Sequence, residues 1–254
     1  MALAVHRITR GLDAPWRTAA AVAALVTVFA AGPFYSGVAA ASGSKPKNVV
    51  VLSTAQVQPA LFVLTDMPTG YAATSDSNTT PSGTTGFCNG PNEPARAQAQ
   101  GVVGSGGVEF AQNPNFGPFL SEFVYSFPSA QAASAMLSSE RSQVACGTYN
   151  SVNNGVSLSE SIAPIAFAKA GDDLAAFRLT TSTTGTGSSP TTAAEDQITV
   201  RIANNVITVA YGGIGGPSAT TEQQYVGTAI SKLGVAIAAA KKQQAAAKKT
   251  KKKG

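Results

Sequence analysis

The clearest pattern along the chain is an alternation of apolar and polar residues on both sides of Asn204 and Asn205. The runs 197–203 and 206–211 place an apolar side chain at every second position, which is typical of half-buried strands. A two-residue Asn-Asn turn tolerates the positive φ angles that a tight hairpin needs. We therefore predict a hairpin that pairs Ile202 with Ile207, Val200 with Val209 and Ile198 with Tyr211.

Two segments have the spacing of helices that bury one face. Pro128 and a predicted N-cap, Ser129, open the first at 129–144, whose buried face holds Ala133, Met136, Leu137, Glu140 and Val144. The second, at about 221–240, has a capping-box spacing from Thr220 to Gln223 and an apolar stripe of Val226, Ile230, Leu233, Ile237 and Ala240.

Shorter patterns complete the predicted domain. Further strands are predicted at 102–111, 119–127, 156–163 and 174–181, and loops at 72–100 and 182–194. Together the elements predict an α+β fold, an antiparallel β-sheet with two main helices packed against it and one disulfide.

The first 41 residues have the order of a secretory signal. Three arginines precede fourteen uncharged, mostly apolar residues at 18–31, and small residues follow at 38–42. We predict a signal peptide at 1–41, with an uncleaved N-terminal anchor as the alternative, and a linker at 42–53. The chain is then secreted or associated with the cell envelope.

The chain contains two cysteines, Cys88 and Cys146. Export to an oxidising compartment and an even number of cysteines favour a disulfide between them, and two buried free thiols are the alternative. The bond would tie the long loop to the end of the first predicted helix.

The basic residues are concentrated at the C-terminus. Residues 42–240 hold eight basic and twelve acidic residues, whereas 241–254 hold seven lysines and no acid. This tail has no apolar stripe, so we predict a disordered polycation that contacts anionic lipids or polymers without recognising a specific nucleic acid sequence. A merely solubilising tail is the alternative. The predicted contact residues are Lys241, Lys242, Lys248, Lys249, Lys251, Lys252 and Lys253.

The sequence offers little catalytic chemistry. His6, in the leader, is the chain's one histidine, so a cleaved protein lacks the imidazole base of serine and cysteine hydrolases. The glycine runs at 101–107 and 212–216 lack the nucleotide-binding fingerprints, and we predict no catalytic residue, metal or cofactor. The acidic pairs at 172–173 and 195–196 are interpreted as turn and solubility residues.

The order of these elements resembles the PknH-like extracellular sensor domains of actinobacteria, over about residues 54–240. The resemblance rests on the Leu64–Tyr71 turn (LTDMPTGY), Cys88 in a loop, the Phe127–Ala130 helix start (FPSA), Cys146 at the helix end, and the late hairpin and helix. It implies a mixed sheet-and-helix domain with a cleft for an extracellular ligand. Because these 254 residues include no kinase and only two cysteines, neither kinase signalling nor the second disulfide of the receptor kinase is expected from the resemblance.

The predicted function is therefore a non-enzymatic, exported, sensor-like domain that binds a small or cell-envelope ligand in a cleft. One alternative is a polyanion-binding adhesin that acts through the lysine tail. Another is a secreted hydrolase without histidine, with Lys169 or Lys232 as its base.

Overall fold

The computed structural model describes residues 49–75, 87, 90–114, 116–153, 156–185 and 189–251. The predicted leader, most of the predicted linker, Cys88 and residues 252–254 lie outside the described residues.

Eight antiparallel strands form one sheet, in the order β1-β2-β3-β8-β7-β6-β5-β4. The strands are β1 (Ala72–Ser75), β2 (Gly104–Ala111), β3 (Phe119–Ser126), β4 (Thr148–Asn153), β5 (Val156–Pro164), β6 (Asp173–Thr184), β7 (Thr191–Ile202) and β8 (Asn205–Ile214). The helices are α1 (Thr54–Val57), α2 (Glu93–Ala99), α3 (Ala130–Ser142) and α4 (Ala219–Lys251). The predicted antiparallel sheet with two main helices is confirmed, and the disulfide stays a prediction.

The two main helices pack on opposite faces of this sheet. Phe123 and Tyr125 of β3 lie in a cluster with Ala133 and Met136 of α3. The alternate residue, Val124, lies in the larger cluster that α4 covers. Side chains of a strand point alternately to its two sides, so the sheet is buried on both faces.

Helix α3 follows its sequence pattern closely. The Ser129 side chain accepts a hydrogen bond from the Ala132 amide, as the predicted N-cap should. The buried residues of the helix are Ala133, Met136, Leu137 and Glu140, one to two turns apart. A 3-10 turn at Gln143–Cys146 follows and places Cys146 at the protein surface.

The segment before α1 belongs to the core, although its sequence was interpreted as the end of a linker. Val50 is 3% exposed and Leu52 is fully buried. The segment passes so close to β2 that a Cβ atom on Gly104 would lie 2.2 Å from the Leu52 carbonyl oxygen. Only glycine fits this crossing, which brings the chain beneath α4.

The predicted hairpin exists, but its register is shifted by two residues. Val200 pairs with Ile207 and Ile198 with Val209, and the turn residues are Ala203, with φ of 55°, and Asn204. Asn204 is fully buried. Its side chain accepts a hydrogen bond from the Val50 amide and donates one to the Phe127 carbonyl. These contacts with distant segments outweigh the local preference for asparagine at positive φ. A shift of two leaves every side chain on its predicted face.

Both predicted loops contain regular structure. β1 and α2 lie within 72–100, and α2 is capped by Asn92, whose side chain accepts a hydrogen bond from the Ala95 amide. β6 continues to Thr184 and β7 starts at Thr191, inside the predicted loop 182–194. Strand β4 was not predicted. Threonine and serine dominate the extensions of β6 and β7, and cross-strand pairing orders them without an apolar pattern.

Helix α4 starts earlier and ends later than its pattern suggested. It begins at Ala219, so Thr220 lies in the first turn rather than at the cap, and it continues to Lys251. The prediction of a disordered segment from 241 therefore fails over 241–251. Alanine, lysine and glutamine are good helix formers, and extending an existing helix costs far less than starting one.

Candidate functional site

Three adjacent strands, β6, β7 and β8, place one aromatic and two charged side chains side by side under the start of α4. Arg178 of β6 pairs in register with Asp196 of β7, which pairs with Tyr211 of β8. Glu222 and Tyr225, one turn apart on α4, complete the row from above. With Tyr71, which precedes β1, these residues are called here the α4 site: Tyr71, Arg178, Asp196, Tyr211, Glu222 and Tyr225.

Arg178 and Asp196 form a two-point ion pair. The distances are 2.6 Å from Nε to Oδ1 and 2.7 Å from the terminal nitrogen to Oδ2. The Asp196 side chain is 2% exposed, whereas that of Arg178 is 45% exposed. The hydrogen bond to Asp196 raises the pKa of Arg178. The pair thus has a buried carboxylate at its inner end and a solvent-facing cation at its outer end.

Glu222 brings a second carboxyl to the same place. Burial raises its pKa from 4.5 to about 7, and the charge of Asp196 and a hydrogen bond to it add to the rise. Arg178 opposes the rise only in part. Within the described residues, Oε1 of Glu222 has no hydrogen-bond partner. Glu222 is therefore partly protonated near neutral pH.

Three tyrosines line the side of the site nearer β1. The rings of Tyr211 and Tyr225 are 5.4 Å apart between centroids, and the Tyr71 hydroxyl bonds to both residues. Burial raises the pKa of Tyr71 and of Tyr225, so their hydroxyls stay neutral at physiological pH. The tyrosines thus offer neutral hydroxyl groups and aromatic faces beside two carboxyls.

A further carboxyl lies deeper on the same face. Glu122 of β3 is fully buried and accepts from the Phe62 amide at 2.5 Å. Burial raises its pKa from 4.5 to about 8, and the nearby charge of Lys232 only partly opposes this. Its other oxygen has no partner in the ranges that the structure describes. Glu122 is therefore mostly protonated at neutral pH.

An ion pair lies near Glu122 at the edge of α4. Lys232 Nζ lies 2.5 Å from Asp66 Oδ2 and 5.9 Å from the centroid of the Phe62 ring. Although burial opposes ionisation of Asp66, Lys232 and the Val63 amide outweigh it and lower its pKa. Lys232, a candidate base in the hydrolase alternative, thus serves as a cation for Asp66.

The lysines predicted to bind polyanions lie on the exposed end of α4. Lys241, Lys242, Lys248 and Lys249 are exposed. Residues seven apart in a helix differ by only about 20° in direction, so 241 and 248 share one direction, as do 242 and 249. These four residues, called here the lysine face, form one cationic strip. The Lys251 side chain, Lys252 and Lys253 lie outside the described residues.

The structure separates the other predicted residues from the α4 site. Cys146 follows α3, which packs on the opposite face of the sheet, and its predicted partner Cys88 is outside the described residues. Lys169, the other candidate base, is exposed.

Sequence reasoning missed the carboxyls of the α4 site. Asp196 was assigned to a turn, but it lies inside β7 and is 2% exposed. The alternation of the predicted hairpin already placed it on the same face as Ile198 and Val200. Glu222 and Tyr225 extend the buried side of the predicted helix by one more turn, which was a second usable signal. The meeting of β6, β7 and α4 could not be deduced without the topology.

The chain has a structural likeness to solved proteins but no match to a known family. No model of a known protein family matches the chain, and no curated protein matches it. The extracellular domain of PknH from Mycobacterium tuberculosis matches with a TM-score of 0.47 and 13% sequence identity, over 72% of this chain and 97% of that one. This domain carries the name of the family that the sequence resembles. Membership of that family stays a proposal.

The described residues hold neither a membrane-spanning helix nor a cluster of metal-ligating side chains. No helix among them is both long and apolar enough to cross a membrane. In the same part of the chain, no group of three or more histidine, cysteine or acidic residues is placed to hold a metal ion.

Proposed function

We propose that this protein is a non-enzymatic, exported, sensor-like domain that binds a small or cell-envelope ligand at the α4 site. The observation that carries the proposal is Oε1 of Glu222, which has no hydrogen-bond partner in the described part of the chain; this residue is 2% exposed and lies near the half-exposed Arg178. A buried polar atom without a partner costs free energy, and sites that keep such atoms are often functional. A ligand that bonds to Glu222 would recover this cost.

The composition of the α4 site suits binding. Ligand sites combine aromatic surface with a few polar groups whose positions are fixed. Here Tyr211 and Tyr225 supply the surface, and a two-point ion pair fixes Asp196. The position of the site between a helix and a sheet places its residues on rigid elements.

A ligand screen on the full chain tests the proposal. Envelope lipids, glycans and peptides are added while thermal unfolding and the NMR signals of the tyrosine rings are recorded. We expect a ligand to raise the melting temperature and to shift the signals of Tyr211 and Tyr225. The Glu222→Gln variant should lose the effect, while Asp173→Asn, a carboxylate outside the site, should keep it. Ligands that stabilise both variants equally would contradict this location.

The lysine face supports a second proposed activity, contact with anionic surfaces. Four exposed lysines on one helical strip present a denser charge than the same residues in a flexible tail. Each lysine near an anionic membrane is worth up to about 1 kcal/mol, and the attraction falls with salt. We propose that the face holds the domain against an anionic envelope lipid surface.

Vesicle sedimentation tests the lysine face directly. Replacing its four lysines with glutamine should abolish binding to phosphatidylglycerol vesicles, whereas four Lys→Arg changes should preserve it. Binding of the parent chain should weaken strongly between 50 and roughly 200 mM salt because it is electrostatic. Vesicle binding that survives the glutamine changes would exclude the lysine face. Retention on heparin or DNA without vesicle binding would favour the polyanion adhesin.

A further inference from the structure

We infer that the α4 site takes a small organic ammonium ion, held between Glu222 and Asp196 beside the rings of Tyr211 and Tyr225. The inference rests on the proposed ligand site and adds the chemical class of the ligand.

The charges of the site are the first argument. Asp196 and Glu222 are each 2% exposed, and the two are hydrogen-bonded to each other. Both of the hydrogen bonds from Arg178 go to Asp196. Two carboxyls therefore face one guanidinium, and a buried carboxylate without a counter-charge is costly. The arrangement is short of one positive charge, for which a proton on Glu222 substitutes.

The hydrogen-bonding groups are the second argument. An ammonium group donates three hydrogen bonds and accepts none. Oε1 of Glu222 is a buried acceptor that meets no donor elsewhere in the described segments. Asp196 supplies a carboxylate beside it, and the tyrosine hydroxyls can accept as well.

The aromatic rings favour an organic cation over a metal ion. Cations are attracted to the faces of tyrosine rings within about 6 Å of the centroid. Tyr225 lies one turn from Glu222 on α4, and Tyr211 lies directly across the strand pair from Asp196. Calcium usually takes six to eight oxygen ligands, more than two carboxyls provide when one already holds an arginine. Neutral rings suit the alkyl part of an amine better than a hydrated metal ion.

The route into the site follows from the exposure of its members. Both carboxyls are buried, but the Arg178 side chain is 45% exposed at the outer edge of β6. Long side chains change rotamer rapidly at a surface. The solvent-facing side chain of Arg178 is therefore where a ligand amine would approach Glu222.

Protonation and amine binding compete at Glu222. The charged groups that act on it are Asp196 from β7 and Arg178 from β6, and Tyr225 lies one turn away on α4. Its pKa is raised to about 7, so the ionised fraction increases about tenfold from pH 6 to pH 8. Amine affinity should rise with pH by about the same factor.

Calorimetry on the full chain tests the inference with n-butylamine, the neutral n-butanol and calcium chloride. We expect butylamine to bind about tenfold more tightly at pH 8 than at pH 6, with no binding of butanol or calcium. Glu222→Gln should lose both the binding and its pH dependence, while Asp173→Asn should keep them. Equal binding of butanol, preference for calcium, or unchanged amine binding by Glu222→Gln would each overturn the inference.

NMR of the unmodified chain provides a readout that does not depend on a variant folding. Butylamine should shift the ring signals of Tyr211 and Tyr225, and their failure to shift would overturn the inference. If an anionic or neutral envelope ligand shifts these signals while amines do not, the ammonium inference fails and the proposed ligand site stands. If no ligand of any class shifts them, both fail.

Discussion

Glu140 on the α3 face of the sheet and Glu222 on the α4 face are buried carboxyl groups in contrasting surroundings. Under α3, Glu140 accepts from Arg96 at 2.8 Å and from Gln143 and Gln197 at 2.7 and 3.2 Å. Under α4, Glu122 and Glu222 are equally buried, but each has an oxygen without a partner in the described part of the chain. A buried charge is stable when it is fully paired. Glu140 therefore serves a structural role on the α3 face, whereas Glu122 and Glu222 on the α4 face can change protonation state.

The largest predicted effect comes from breaking the pairing under α3. Arg96→Met leaves Glu140 buried without its cation and should lower the free energy of unfolding by about 3–5 kcal/mol. Urea unfolding at pH 7 measures the change. The double variant Arg96→Met/Glu140→Leu removes both charges and should recover most of the loss. A double variant as unstable as the single one would show that Glu140 needs no cation.

The predicted disulfide would further stabilise the α3 side. A bond from Cys88 to Cys146 closes a loop of about 58 residues, and Cys146→Ser should cost about 2–4 kcal/mol. Intact-mass measurement after alkylation without reduction checks the bond itself. Modification of both thiols in that experiment would contradict the prediction and the export argument with it.

Under α4, removing a buried carboxyl should raise the free energy of unfolding rather than lower it. The pKa of Glu122 is raised in the folded chain to about 8, so the stability of the parent falls as pH rises from about 4.5 to about 8. The slope approaches about 1.4 kcal/mol per pH unit. Glu122→Gln should remove this contribution and stabilise the chain at pH 8, as measured by urea unfolding across that range. The matched Glu140→Gln variant should destabilise it. A Glu122→Gln variant with the parent's pH slope would show that this carboxyl is ionised when folded.

The smallest effect is expected at an exposed ion pair beside α3. Arg141 and Asp173 are 2.5 Å apart, with side chains 46% and 38% exposed. The hydrogen bond from Arg141 lowers the pKa of Asp173. Asp173→Asn should nevertheless cost less than about 1 kcal/mol, and less still in high salt, because water already screens the pair. Urea unfolding at low and high salt measures this, and a loss above 2 kcal/mol would contradict the contrast between buried and exposed charges.

The sequence predicted those elements whose capping residues or hydrophobic spacing lie within the element itself. The cap at Ser129, the stripe of α4 and the faces of the β7–β8 hairpin could be deduced from spacing, because neighbours along the chain decide them. The hairpin register could not, since Asn204 is held by Val50 and Phe127, 154 and 77 residues away. The α4 site was missed for the same reason, because its charged residues lie on β6, β7 and α4 and meet only in the folded sheet. The lysine residues are evident from composition and their contact with polyanions stays a prediction, but their arrangement on one strip of α4 depends on helix continuation from a packed core.

The length of α4 sets a geometric relation between its two ends. At 1.5 Å per residue its 33 residues span about 50 Å, and the first residue of the lysine face lies about 28 Å along the axis from Glu222. No proline interrupts the helix. If the lysine face binds a flat surface, the continuous helix therefore fixes both the distance and the orientation of Arg178 and the α4 site relative to that surface.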